Sequence, residues 1–298
     1  MTGTPPALRV HMTKMNLLAA ALPLALAACA GTRGPTVPED IDQPPSADYR
    51  GVPGFDIRDY PGDGVMARWR ETSPYRWVGF YLTAPCYTGT SWGSKRLTLE
   101  SQGWAMAVLY VGEQDWSAMG GEQTAPTQPA DSLGAPRCTT ANLTEANGRA
   151  HAIDAALRAQ TAGFLPGTVI YLDVERVDEV SSDLATYVGA WIGGLLDDRR
   201  YLPGLYAHGR NAQALMAVAA AAYEERARFG TPRLWVASTE GFDIAANPSE
   251  SGVPNATIWQ GALDVERRWG DVTLRIDENV AAVGLPGLYV PGRLDPED

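Results

Sequence analysis

The sequence predicts an α/β fold, a single (β/α)8 TIM-type barrel that follows a leader and a linker. Three observations carry this expectation. Eight short β-like runs are spread along the chain, helix-like segments lie between them, and no Gly-x-Gly-x-x-Gly turn follows the first run. The chain has 298 residues with a hydrophobic fraction of 45%, enough to bury one large core. Alternating strands and helices imply parallel strands joined by right-handed crossovers, and eight such units favour a closed barrel over an open doubly wound sheet.

The chain begins "MTGTPPALRVHMTKMNLLAAALPLALAACAG". Arg9 and Lys14 precede an apolar stretch that is too short to span a bilayer and suits an export signal. Residues 1–28 therefore read as a lipoprotein signal peptide. The motif Leu26-Ala27-Ala28-Cys29 places small residues before a thiol, so Cys29 is the expected lipidation site and the membrane is met through acyl chains alone. Residues 29–51 carry this cysteine and a Pro-rich, acidic tether. The barrel is expected over 52–298. These features predict an exported protein, lipid-anchored to a bacterial membrane on its periplasmic or cell-surface side.

The formal charge is −11, and loss of Arg9 and Lys14 with the leader makes it more negative. Such a surface repels nucleic acid and anionic headgroups. With Cys29 used, Cys86 and Cys138 remain. In an oxidising compartment a disulfide between them is the simplest account. Both lie in loops that leave the same end of the expected barrel, one of them the long segment 113–143.

The strands read, in order, "GFDIRDY", "WVGFYL", "WAMAVLYVG", "TVIYLDVE", "LPGLYAH", "RLWVAS", "ATIWQG" and "LRIDENVA". Helical spacing marks 146–162, 183–196 and 212–228. In the second of these Leu184, Val188, Trp191 and Leu195 share a face and Ser182 is placed to cap; in the third, alanines favour helix.

Side chains alternate along a strand. In "TVIYLDVE" this sends Ile170, Leu172 and Val174 one way, and Val169, Tyr171, Asp173 and Glu175 the other. Asp56 opposes Phe55 and Ile57, and Asp277 opposes Leu274 and Ile276. Acids thus fall on the inward face of three strands, where a barrel opens into its usual site. Two carboxylates at i and i+2 have Cα atoms roughly 6.5–7 Å apart, and their repulsion keeps a proton on one of them to higher pH. Glycosidic cleavage needs such a protonated acid together with an anion. Glu175 is the expected acid, Asp173 and Asp56 its polarising neighbours, and Asp277 a substrate or charge-stabilising contact. Tyr206, Trp235 and Trp259, read as inward, together with Tyr110 and Gln260, form the expected sugar-binding set, since flat side chains stack on sugar rings.

The same acids also fit a structural role as ion-pair partners of Arg58 or Arg275, which share the inward parity. No zinc spacing, nucleophile elbow or phosphate loop appears, so neither a metal nor a cofactor is expected.

Taken in order, "GFDIRDYPG", "VIYLDVE", "PGLYA", "LWVAS", "IWQ" and "LRIDENVA" resemble the glycoside hydrolase-like domain of unknown function (DUF1906-type) found in secreted bacterial proteins. That family is similar to the muramidases of glycoside hydrolase family 25. The resemblance spans roughly residues 52–285. It implies that Asp56, Asp173, Glu175 and Asp277 build the site, with Glu175 as proton donor. The turn after the first strand and "RIDEN" in the last depart from the muramidase pattern. The resemblance implies a polysaccharide ligand such as peptidoglycan. A glycosidase, a non-catalytic glycan- or partner-binding barrel, and a hydrolase for an amide or ester all fit the sequence.

Overall fold

The computed structural model describes residues 50–119, 138–228, 230–282 and 286–287. The leader, Cys29 and most of the tether lie outside these residues, as does the middle of the 113–143 loop.

Eight strands close into one barrel in sequence order. They are β1 (Val52–Asp56), β2 (Trp77–Leu82), β3 (Ala105–Val111), β4 (Val169–Val174), β5 (Leu202–His208), β6 (Arg233–Ala237), β7 (Ala256–Trp269) and β8 (Val272–Ala281). Helices α1 (Asp63–Thr72), α2 (Arg96–Ser101), α3 (Glu145–Thr161), α4 (Ser182–Asp198) and α5 (Gly209–Glu225) make the first five crossovers. Each expected run is a strand.

Residues of α4 at helical spacing, Leu184, Val188, Trp191 and Leu195, are all buried. The cap is Ser181 and not Ser182: its hydroxyl accepts the Leu184 N–H, and Ser182 is the first helical residue. Helix α3 buries Ala152, Ala155, Ala156 and Ala159. Gly148 lets it approach α4 closely, because a Cβ there would lie 2.5 Å from the Tyr187 carbonyl oxygen.

The last quarter departs from the (β/α)8 expectation. A short 3-10 turn, Pro248–Ser251, links β6 to β7, in a segment whose Pro248, Gly252 and Pro254 oppose a helix. Strand β8 is antiparallel to both β7 and β1. The residues between "ATIWQG" and "LRIDENVA" are barely enough for a crossover, and their alternation favours a hairpin that turns at Gly270, where φ is +60°.

The hairpin lies against α1. Trp69 Nε1 donates to the Val272 carbonyl (3.3 Å) and Arg68 Nε to Asp271 (3.0 Å). Glu278, on the outer face, accepts from Tyr75 and from two nitrogens of Arg267. Two-stranded sheet thus covers a part of the outer surface that a helix would cover in a regular barrel.

Side-chain alternation sorts the core into two layers. Trp77, Ala107, Leu109, Val169, Tyr171, Trp235 and Ile258 fill the barrel interior, while Phe55, Val108, Tyr110, Ile170, Leu172 and Trp259 join the layer under the helices. Trp235 is fully buried. It meets Trp77, Tyr171 and Tyr206 edge to face at 5.5, 5.7 and 5.6 Å. Gly54 leaves room for the Trp77 indole. The interior is a packed plug, so a ligand has access only at the rims.

Candidate functional site: an acidic mouth on the barrel

Asp56 ends β1, Asp173 is the penultimate residue of β4, and Glu175 follows that strand directly. These positions are at the C-terminal rim of the parallel strands. Asp277 reaches the same rim because β8 runs backwards: its register partner is Asp56, whereas Ala281 pairs with Val52 at the far end.

Asp56 is the best-anchored of the four. Tyr81 Oη donates to its Oδ1 (2.7 Å), and Gln260 Nε2 and Asn279 Nδ2 both donate to Oδ2 (2.8 Å each). The donors are themselves fixed. Tyr206 donates to Gln260 Oε1 (2.7 Å), and the Trp235 indole N–H to Asn279 Oδ1 (2.9 Å). The aromatic plug thus orients the amides, and the amides orient the carboxylate. Burial raises the Asp56 proton affinity, and the three donors oppose that rise. Gly79 of β2 permits the packing, since a Cβ there would fall 2.6 Å from the Asp56 Cβ.

Asp173 has the opposite environment. It is 7% exposed, and its Oδ1 is buried without a hydrogen-bond partner among the described residues. Its carboxyl is raised well above the ordinary range, by burial first and then by the charges of Glu175 and Asp56. Glu175 is exposed at the mouth, yet enough protein surrounds its carboxyl to raise it, and Asp277 adds to the rise while Arg58 opposes it. Asp277 is half-buried and pushed up to about 7 by burial, by Asp56 and by Asp264. The Asp264 backbone N–H donates to its Oδ1 at 2.6 Å. The four acids thus form one electrostatic group.

Among the described residues none of these carboxylates is within ion-pair distance of an arginine. Arg275 pairs with Asp264 at 2.6 Å, and the Arg58 guanidinium lies over the Tyr87 ring. The ion-pair role considered from the sequence is therefore not the arrangement found.

The expected sugar-binding set divides. Tyr206 and Gln260 are next to the acids, and Trp235 lies below them as floor. Tyr110 and Trp259 are corrections, because both point to the helix layer. Tyr110 donates to Asp154 of α3 (2.9 Å) and packs on Trp191. Trp259 is level with Val236 in the β6–β7 register, and its indole donates to the Ser238 carbonyl (2.7 Å). Each is one residue out of phase with the inward face.

Three further residues shape the site without having been singled out: Tyr81, Asn279 and Gln114. Tyr81 and Asn279 were accessible to the alternation argument, since they share parity with Trp77 and Asp277. Gln114 lies beyond the end of β3, where no periodicity reports on it.

Cys86 and Cys138 form a disulfide, with Cα atoms 5.0 Å apart. Buried Glu113 lies beside it and accepts from the Thr139 N–H and the Asn142 amide. These three residues are a close group of metal-ligating types among the described residues, but their two sulfurs are bonded to each other.

No curated protein matches the chain. Solved structures do. The spore cortex lytic enzyme SleM of Clostridium perfringens matches with a TM-score of 0.50 at 10% identity, over 80% of this chain and 68% of that one. The Tat-secreted protein Rv2525c of Mycobacterium tuberculosis matches at 17% identity and a TM-score of 0.44, over 77% of this chain and 95% of that one. A bacterial lysozyme from Streptomyces coelicolor matches at 14% identity and a TM-score of 0.47, over 77% and 91%. At these identities the similarity concerns the fold, a single TIM-type barrel. A family model described as Rv2525c-like, glycoside hydrolase-like domain matches residues 67–281, from within α1 to the end of β8. The chain belongs to that family of glycoside hydrolase-like domains.

Proposed function

We propose that this protein is a glycoside hydrolase of the cell envelope, acting on a polysaccharide such as peptidoglycan by carboxylate acid/base chemistry. The observation that carries the reading is the convergence of Asp56, Asp173, Glu175 and Asp277 at one rim, free of arginine ion pairs among the described residues. Acids that only stabilise a fold are paired or solvated. A cluster of mutually repelling acids costs stability, as is usual where function sets the arrangement.

Glu175 is the general acid. It is reachable from solvent, and burial together with the charge of Asp277 raises its proton affinity, the direction a proton donor to a glycosidic oxygen needs. Asp56, held by Tyr81, Gln260 and Asn279, is a polarising neighbour of Glu175 and holds the network in register. Asp173, buried beside Glu175 in the Asp-x-Glu pair, is its second polarising neighbour. Asp277 stabilises positive charge as it develops on the ring. Tyr206 and Gln260 line the sugar site, above Trp235.

The same reading makes the protein exported and held at a bacterial membrane through Cys29. The relatives called a spore cortex lytic enzyme and a Tat-secreted protein and the disulfide favour export.

The test compares wild type with Glu175→Gln on peptidoglycan sacculi and other glycans, following new reducing ends and binding in parallel. Cleavage by wild type that drops at least about 100-fold in the variant, with binding retained, is the expected result. Binding without cleavage in wild type would instead identify a non-catalytic glycan-binding barrel.

A further inference from the structure

Just beyond β3, which ends at Val111, lie three consecutive polar residues, Glu113, Gln114 and Asp115, that are 2%, 1% and 2% exposed. Buried polar groups persist when their partners are supplied, and each of these three binds a different piece of the mouth. Glu113 takes the loop that carries Cys138, through the Thr139 N–H (2.9 Å) and Asn142 (3.2 Å). Asp115 accepts from Ser117 (2.6 Å) and from Ser181, the cap of α4 (2.5 Å).

Gln114 takes the Asp-x-Glu segment itself. Its Nε2 donates to the carbonyl of Asp173 (2.8 Å) and to that of Gly112 (3.3 Å), and its Oε1 accepts the N–H of Glu175 (3.0 Å). Both halves of the amide are used. The β3–β4 ladder has its last register pair at Val111 and Asp173, so Glu175 is already past the sheet. There the Gln114 amide replaces the missing strand, offering a donor and an acceptor in ladder fashion to the backbone on both sides of Val174.

We propose that Gln114 is the positioning residue of the site: it extends β4 by one bonded step and thereby sets the height and direction from which Glu175 enters the mouth. This rests on the reading of Glu175 as general acid. A carboxyl on an unpaired strand end has freedom of more than an ångström, and losses of that size in placement cost about 100-fold in rate.

The test uses Gln114→Met, which keeps the volume and removes both hydrogen-bonding functions, with Ser181→Ala as a control that loosens the neighbouring α4 cap without touching Asp173 or Glu175. Turnover is followed on peptidoglycan sacculi. In parallel the Glu175 carboxyl is titrated by carbon-13 NMR, its signal assigned by its absence from Glu175→Gln. In folded Gln114→Met, kcat should fall at least about tenfold while KM stays within about threefold. The titration midpoint of Glu175 should move by about half a pH unit or more, and its backbone amide should exchange faster. Ser181→Ala should change none of these. An unchanged midpoint and unchanged amide exchange in folded Gln114→Met would overturn the proposal, as would an equal loss of kcat in Ser181→Ala. If Gln114→Met does not fold, Gln114→Glu, which keeps the acceptor and the length but loses the donor, is read by the same criteria. Should wild type leave sacculi and other glycans intact, the enzyme reading fails on turnover, while the NMR measurements still decide whether Gln114 positions Glu175.

Discussion

Asp277 shows how a single side chain records its surroundings. An isolated aspartate titrates near 4; here burial and the neighbouring charge of Asp56 push it up to about 7. A carboxyl that binds its proton more tightly in the folded state opposes folding once ionised. That penalty is complete above pH 7, shrinks as pH falls through 7, and is gone below about 4. In Asp277→Asn the penalty is absent at every pH, and the Asp264 N–H keeps an oxygen to bind. The variant should therefore be more stable than wild type at pH 8, by about 1–2 kcal/mol after allowance for solvent screening. The two should converge near pH 4, with urea midpoints at both values as the measurement. For catalysis the sign is the same: turnover should decline towards alkaline pH, because Glu175, whose proton affinity is raised by burial and by Asp277, then loses the proton it must deliver. The acids themselves were legible from alternation along three strands. Their partners Tyr81 and Asn279 obeyed the same rule but carry no charge to attract attention. Tyr110 and Trp259 were misread because aromatic side chains serve the helix layer as well as the barrel interior, and only the strand register separates the two faces.

At the scale of elements, the site depends on how closely β1 and β2 approach and on which way β8 runs. Gly79 faces Asp56 with no room for a methyl group. Gly79→Ala should destabilise the barrel by about 1–3 kcal/mol and displace Asp56 from its three donors; a lowered denaturation midpoint with a perturbed Asn279 side-chain amide signal would show both. A midpoint equal to wild type would mean that β1 and β2 yield more easily than their packing indicates. The eight strands and the long helices were readable from periodicity, since each is long enough to reveal its period. The direction of β8 was missed because alternation along a strand is the same whichever way it runs. Loop length carried that information: barely a dozen residues with Gly270 in the middle suit a hairpin better than a helical crossover.

For the molecule as a whole, the Cys86–Cys138 bridge closes a long stretch of chain, with a sequence separation of 52, and ties the loop after β2 to the loop after β3. Chain-entropy reasoning assigns such a closure about 4 kcal/mol. Reduction, or Cys86→Ser with Cys138→Ser, should lower the unfolding free energy by about 2–4 kcal/mol. Thermal unfolding with and without a dithiol measures it, and identical melting curves would show that the loops are held by Glu113 and its partners alone. The sequence by itself determined the barrel class, the membership of the disulfide and the inward parity of four acids, because these follow from local periodicity, cysteine number and side-chain alternation. The tertiary structure alone decided that Asp277 is level with Asp56, that Gln114 reaches across to the end of β4, and that Asp56 is surrounded by donors while, among the described residues, Asp173 Oδ1 has none. Those facts depend on register and on contacts between residues far apart in the chain, which no local pattern encodes.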